Sequence, residues 1–211
     1  MSVLFPTRCL LCGGWISERQ GGLCPDCREQ AEAEMKTVYC TPPEGVDAVI
    51  CAGKYRDDLR QALIRMKFRS YGNQTIRPLA GLMRQAWELR NMPRPDVITC
   101  VPSGGMRIRN RGYNQSEALA NELANAWNVP FMRMLRRKLR SKQQSTLHAA
   151  DRWDNAAASY QLRSGIQLHG QTVLLVDDIV TTGATAGICA SLLKQAGAQS
   201  VWVLAAAKAG A

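Results

Sequence analysis

Apolar and polar positions follow two rhythms along this chain, and the changes between them mark its elements. "DAVICAGKY", residues 47–55, is a β-rich apolar run and predicts a strand. "DDLRQALIRMKF" repeats apolar residues at Leu59, Leu63 and Met66, which is helical spacing, and "TIRPLAGLMRQAWELR" predicts a second helix. "PDVITCVP" is an apolar strand stopped by Pro102; the loop "SGGMRIRNRG" follows, then a helix from Asn114 to Trp127. "RSKQQSTLHAADRWDN" has no core face. "ASYQL" and "QTVLLVDD" predict strands, "ATAGICASLLKQAGA" an amphipathic helix ended by Gly197, and "SVWVLAAA" a closing strand. Strands alternating with helices predict an α/β fold with a mostly parallel sheet flanked by helices. There is no internal repeat.

Composition narrows this picture only a little. The chain has 211 residues, 46% hydrophobic and 21% charged, which suits one α/β domain with a small appendage and excludes wholesale disorder. No apolar run approaches the roughly 20 residues of a membrane span. The start, "MSVLFPTRCLLC", lacks the basic flank and apolar stretch of a signal peptide, so a cytoplasmic protein is expected. The charge is more informative. Lys and Arg number 27 against 17 acids, and between Arg107 and Lys142 nine cations face only Glu117 and Glu122. Such a local basic field predicts a phosphate-rich ligand; a solvated basic surface is the plainer alternative.

The first chemistry is in the cysteines. "CLLC", Cys9 to Cys12, and "CPDC", Cys24 to Cys27, are separated by eleven residues, a spacing that can set four thiolates around one zinc. The competing reading is two redox pairs. With no further ligand in sight the zinc is expected to be structural, because ~35 residues bury too little apolar area to fold without it. The predicted organisation is a zinc module over residues 1–36, a linker over 37–45 (within "EAEMKTVYCTPPEGVDA") and an α/β domain over 46–211. Metal loss is then expected to loosen only the first ~35 residues. Cys40, Cys51, Cys100 and Cys189 read as small buried apolar residues.

The second is in "VLLVDDIVTTGATA", residues 173–186. An apolar strand ends in Asp177 and Asp178, and ligands of parallel sheets bind at such carboxyl ends. The amides at the following helix start, with the hydroxyls of Thr181, Thr182 and Thr185, can hold a phosphate monoester. Gly183 lets the backbone come close. The two acids would repel that phosphate, so they should face hydroxyls or a hydrated Mg²⁺. A phosphate beside a diol is a ribose 5-phosphate. Ordinary helix capping is the alternative, although a cap does not need two acids.

This segment resembles the ribose-phosphate loop of type I phosphoribosyltransferases, which bind phosphoribosyl pyrophosphate (PRPP). The whole chain resembles the ComF competence family, in which a cysteine zinc module precedes a phosphoribosyltransferase-like domain. The resemblance rests on the paired C-x-x-C, "LIRMKF", "RIRNRGYNQSEALA", "QSTLHAADRWDN" and "LLVDDIVTTGAT". It implies that Asp177 and Asp178 contact the ribose hydroxyls as the catalytic acids. Thr181, Thr182, Gly183, Ala184 and Thr185 would hold the 5-phosphate. It further implies that Arg107 and Arg111 lie on the pyrophosphate side, and that Arg152 belongs to a segment closing over PRPP. Many members carry further cysteine pairs, where this chain keeps only Cys40; Ser103, Gly104 and Gly105 replace bulkier residues after Pro102.

Two functions follow as expectations. One is a competence-associated protein handling incoming single-stranded DNA, with a Mg²⁺-dependent PRPP site and with Arg136, Arg137, Lys138, Arg140 and Lys142 tracking the strand. Other DNA-uptake or recombination proteins would be its partners. The alternative is an active phosphoribosyltransferase of nucleotide metabolism, for which no residue identifies the acceptor.

Overall fold

The structure, a computed structural model, describes residues 7–17, 20–66, 69–103, 112–138 and 159–210. Two short strands, β1 (Thr7–Arg8) and β2 (Trp15–Ile16), form an antiparallel hairpin. Helix α1 (Pro25–Thr37) begins on Cys24 with Pro25 in its first turn, where the missing N–H costs nothing. The apolar runs then become β3 (Ala48–Cys51), α2 (Asp57–Arg65), α3 (Arg69–Leu89), β4 (Val97–Cys100) and α4 (Gln115–Trp127). After these come β5 (Leu135–Arg137), β6 (Tyr160–Leu162), β7 (Thr172–Val180), α5 (Ala184–Gln195) and β8 (Ser200–Lys208).

Strands β3, β8, β7 and β4 lie side by side in that order, and every neighbour pair is parallel. Both faces are buried, as the unbroken apolar strands require. Leu174, Val176, Ile98 and Leu204 face a core shared with α2, α3 and α4, whereas Val173, Leu175, Val201 and Val203 face α5. Helix α3 shows why it packs: Ile76, Leu79, Ala80, Met83, Ala86 and Trp87 recur at helical spacing and are all buried. Trp87 anchors that core, with Trp127 and Trp202 ring centroids 5.8 and 5.6 Å away.

Three features extend or change the sequence reading. "ASYQL" does form a strand, over Tyr160–Leu162, but outside the main sheet: β6 pairs antiparallel with β5, placing Arg136 opposite Gln161 and Arg137 opposite Tyr160. The quoted linker begins as helix, since α1 runs to Thr37. Most consequentially, the N-terminal module is no appendage. Cys9, Leu10, Leu23, Cys27 and Met35 belong to the same buried cluster as Leu79, Met83 and Trp87. A Cβ at Gly22 would come within 2.4 Å of Pro78 in α3. The seam is also hydrogen-bonded: Arg65 donates to the Leu10 carbonyl, and Arg90 to those of Met35 and Val38 at 3.0 and 2.9 Å. An apolar module face of this size gains more from α3 than from water.

Candidate functional site

The four cysteines of the first module come together. The sulfurs of Cys9, Cys12, Cys24 and Cys27 lie within 4.8 Å of one another, and Cys12 and Cys24 are 3.8 Å apart. Zn–S bonds of ~2.3 Å in a tetrahedron place sulfurs ~3.8 Å apart, so a quartet this tight suits one zinc. The Cys24 amide donates to the Cys9 sulfur at 3.4 Å, the kind of outer bond that orients a thiolate ligand. Closed coordination by four sulfurs leaves no open position, which makes the site structural.

The second site is at the carboxyl end of the sheet. Strand β7 carries Asp177, which is buried, and Asp178, which is half-buried, past the end of β4, with Asp177 still paired opposite Ala205 of β8. Oδ1 of Asp177 accepts from the Ser116 hydroxyl at 3.0 Å and from the Asp178 amide at 2.9 Å. Oδ1 of Asp178 accepts from the Ile179 amide at 2.9 Å. Burial, and then the neighbouring Asp178 carboxylate, hold the Asp177 carboxyl well above the usual aspartate range.

That cost predicts a stability effect. A raised folded pKa means the folded chain binds this proton more tightly than the unfolded chain. The resulting stabilisation is full below the ordinary aspartate range and is lost as pH rises through the folded pKa. Asp177→Asn removes the charge and keeps an oxygen for Ser116 and the Asp178 amide. The variant should melt at a higher temperature than wild type at pH 7, with the gain shrinking as the pH is lowered. Scanning calorimetry across pH checks this, and a lower melting temperature at pH 7 would contradict it.

Beyond the acids the chain turns through Thr181, Thr182 and Gly183 into α5. Gly183 sits at φ 81°, a left-handed conformation that a β-carbon disfavours, and it is the residue capping the helix. Thr181 and Thr182 are exposed and Thr185 half-buried; the Thr182 oxygen accepts from the Ala184 amide at 3.4 Å. Lys208, at the end of β8, donates to the Thr181 carbonyl at 2.5 Å. The residues named from sequence at 177–185 therefore form one continuous strand end, turn and helix start. Among the other named positions, Arg136 and Lys138 are exposed and Arg137 is half-buried in the β5–β6 hairpin, its guanidinium 5.6 Å from the Tyr160 ring. Arg107, Arg111, Arg140, Lys142 and Arg152 lie outside the described residues.

Several contributors to this site escaped sequence reasoning. Asn114 donates to the Val101 carbonyl at 3.1 Å, and the Ser103 hydroxyl donates to its side-chain oxygen at 2.8 Å. Asn114 and Ser116 together tie the start of α4 to the ends of β4 and β7. The signal was there in "YNQS": polar residues at a helix start, of which Gln115 and Ser116 are buried. Pro43 was also missed. It lies where a Cβ on Gly183 would be 3.0 Å from its ring, so the segment before β3 backs the turn.

Residues 74–211 match the phosphoribosyl transferase domain family, and residues 1–42 match the double zinc ribbon domain. Competence protein F of Haemophilus influenzae is 27% identical over 99% of this chain and 100% of its own length. DNA utilization protein YhgH of Salmonella typhi is 29% identical, covering 92% of this chain and 87% of its own. Competence protein ComFC of Streptococcus pneumoniae is 31% identical over 48% of this chain and 43% of its own. Among solved structures, adenine phosphoribosyltransferase from Thermoanaerobacter pseudethanolicus is 18% identical, with 64% of this chain and 81% of that one aligned at a TM-score of 0.41.

Proposed function

Because the chain belongs to the phosphoribosyl transferase domain family, in the ComF arrangement with a zinc ribbon in front, we propose that it binds PRPP with Mg²⁺ at the end of β7. In this reading it uses that site in handling incoming single-stranded DNA during natural transformation. The observation that carries the PRPP assignment is the conjunction of one buried and one half-buried carboxylate with a glycine-capped, threonine-lined helix start at the end of one strand. Asp177 and Asp178 would accept from the ribose hydroxyls. The turn from Thr181 to Thr185 would hold the 5-phosphate through helix-start amides and hydroxyls. Arg107, Arg111 and Arg152 are proposed to meet the pyrophosphate. Side-by-side carboxylates offer the hard oxygen donors that suit Mg²⁺ and its waters, and the ion would screen the pyrophosphate charge.

Thr182→Val tests the phosphate half. The substitution removes a hydroxyl and leaves a phosphate oxygen short of a donor, at ~1–3 kcal/mol. Calorimetric titration should show weaker binding of ribose 5-phosphate and of PRPP alike. Unchanged affinity for both would move the phosphate off this turn.

The names of the related competence and DNA utilization proteins support the DNA half, as does the basic segment. Arg136 and Arg137 sit on β5, and Lys138 follows with its amide bonded to the Ser159 carbonyl at 2.8 Å, so three successive cations are held on a paired strand. Binding of single-stranded DNA should weaken steeply with salt and show little sequence preference. Replacing Arg136, Arg137 and Lys138 together by glutamine should reduce the slope of log K against log salt by ~2, the value for three lost phosphate contacts. A slope equal to wild type would place the strand elsewhere on the molecule.

A further inference from the structure

One pair of thiols belongs to neither site. Cys40, in the segment after α1, and Cys51, the last residue of β3, have their sulfurs 3.2 Å apart. That is inside ordinary sulfur–sulfur contact, and a bond needs a closure of only ~1.2 Å. Cys51 is buried, whereas Cys40 is half-buried.

The segment that carries Cys40 is also held in place. Arg90 fixes its start through the Met35 and Val38 carbonyls. Downstream, Pro43 rests on Gly183, and the Glu44 carbonyl lies 3.0 Å from where a Cβ on Gly187 would be. The chain from Cys40 to Glu44 is therefore a strap, near β3 at one end and against the turn into α5 at the other.

We propose that Cys40 and Cys51 form a reversible dithiol–disulfide site, oxidised by a hydroperoxide, that fastens this strap to the sheet. Contact with Cys51 lowers the Cys40 thiol below its usual range, and Lys208 and Arg90 act in the same direction against burial. Cys51 is pushed up by the same contact and by burial. The roles follow from that asymmetry. The Cys40 thiolate attacks the peroxide oxygen; the O–O bond breaks, the sulfur becomes a sulfenic acid, and the departing alkoxide or hydroxide takes a proton from water. The Cys51 sulfur then attacks the Cys40 sulfur. The S–O bond breaks, and hydroxide leaves with the Cys51 proton as water. Two thiols lose two electrons in all, and the hydroperoxide is reduced to an alcohol, or to water. In a reducing compartment the bridge would be transient.

The test uses the full-length, zinc-loaded chain treated with hydrogen peroxide and digested without reductant. The expected result is a Cys40–Cys51 linked peptide, lighter by two hydrogens, that dithiothreitol reverses while zinc stays bound. In Cys51→Ala no intramolecular bridge to Cys40 should form. Absence of the linked peptide in wild type, a Cys40 bridge to a zinc cysteine instead, or a Cys40 bridge that persists in Cys51→Ala would each overturn the proposal.

Discussion

Cys24→Ser should release the zinc and lower the melting temperature of the whole chain in one transition. Three ligands cannot close the tetrahedron that four sulfurs within 4.8 Å of one another complete. Structural zinc is worth ~10–16 kcal/mol in zinc-finger peptides at pH 7. A whole domain is stable by only ~5–15 kcal/mol. Losing even ~5 kcal/mol would lower the melting temperature by ~10–20 °C in a chain of this size. The loss cannot stay in the ribbon, because Leu10, Leu23 and Met35 share their core with Leu79, Met83 and Trp87. Trp87, 2% exposed, is the reporter. Its fluorescence should redden along the same curve as zinc release measured with a chromophoric chelator. Zinc loss with an unshifted transition of the tryptophan core would mean that the module and the α/β domain are energetically separate.

The second large effect is expected from Asp177→Asn with Asp178→Asn. Charge-assisted hydrogen bonds are worth ~1.5–3 kcal/mol each. Removing two should weaken PRPP by on the order of 100-fold or more. Pyrophosphate alone has no ribose hydroxyls and loses only what the carboxylates contribute through Mg²⁺, so its affinity should fall less. The contrast separates loss of sugar recognition from general damage to the loop, and the raised melting temperature expected of Asp177→Asn argues against misfolding as the cause. Equal weakening of both ligands would remove the acids from the sugar.

Much of the fold was legible because its signals are local. The strand carrying Asp177 and Asp178, the turn at Gly183 and the helix α5 lie within one continuous stretch, and the zinc ligands announce themselves by spacing. What escaped the sequence is non-local. Nothing in "YNQS" specifies that Ser116 will reach Asp177, 61 residues away in the chain. Nothing in "CTPPEG" says that Pro43 will back Gly183, and Cys40 and Cys51 read only as buried thiols until the strap brings their sulfurs together. The module's apolar residues read as too few for a core of their own, which is correct; their partner was α3 as well as the metal. The hairpin of β5 and β6 was missed because "LRR" is short and cationic, and its strand character comes from pairing rather than propensity.

The central claim is that the end of β7 is a PRPP site, and isothermal titration of the zinc-loaded wild-type chain with PRPP, with and without Mg²⁺, tests it most directly. Saturable binding that requires Mg²⁺ and is weakened by on the order of 100-fold or more in Asp177→Asn with Asp178→Asn is the predicted result. No heat of binding from wild type with Mg²⁺ present, at protein and ligand concentrations that would register a millimolar affinity, would contradict it.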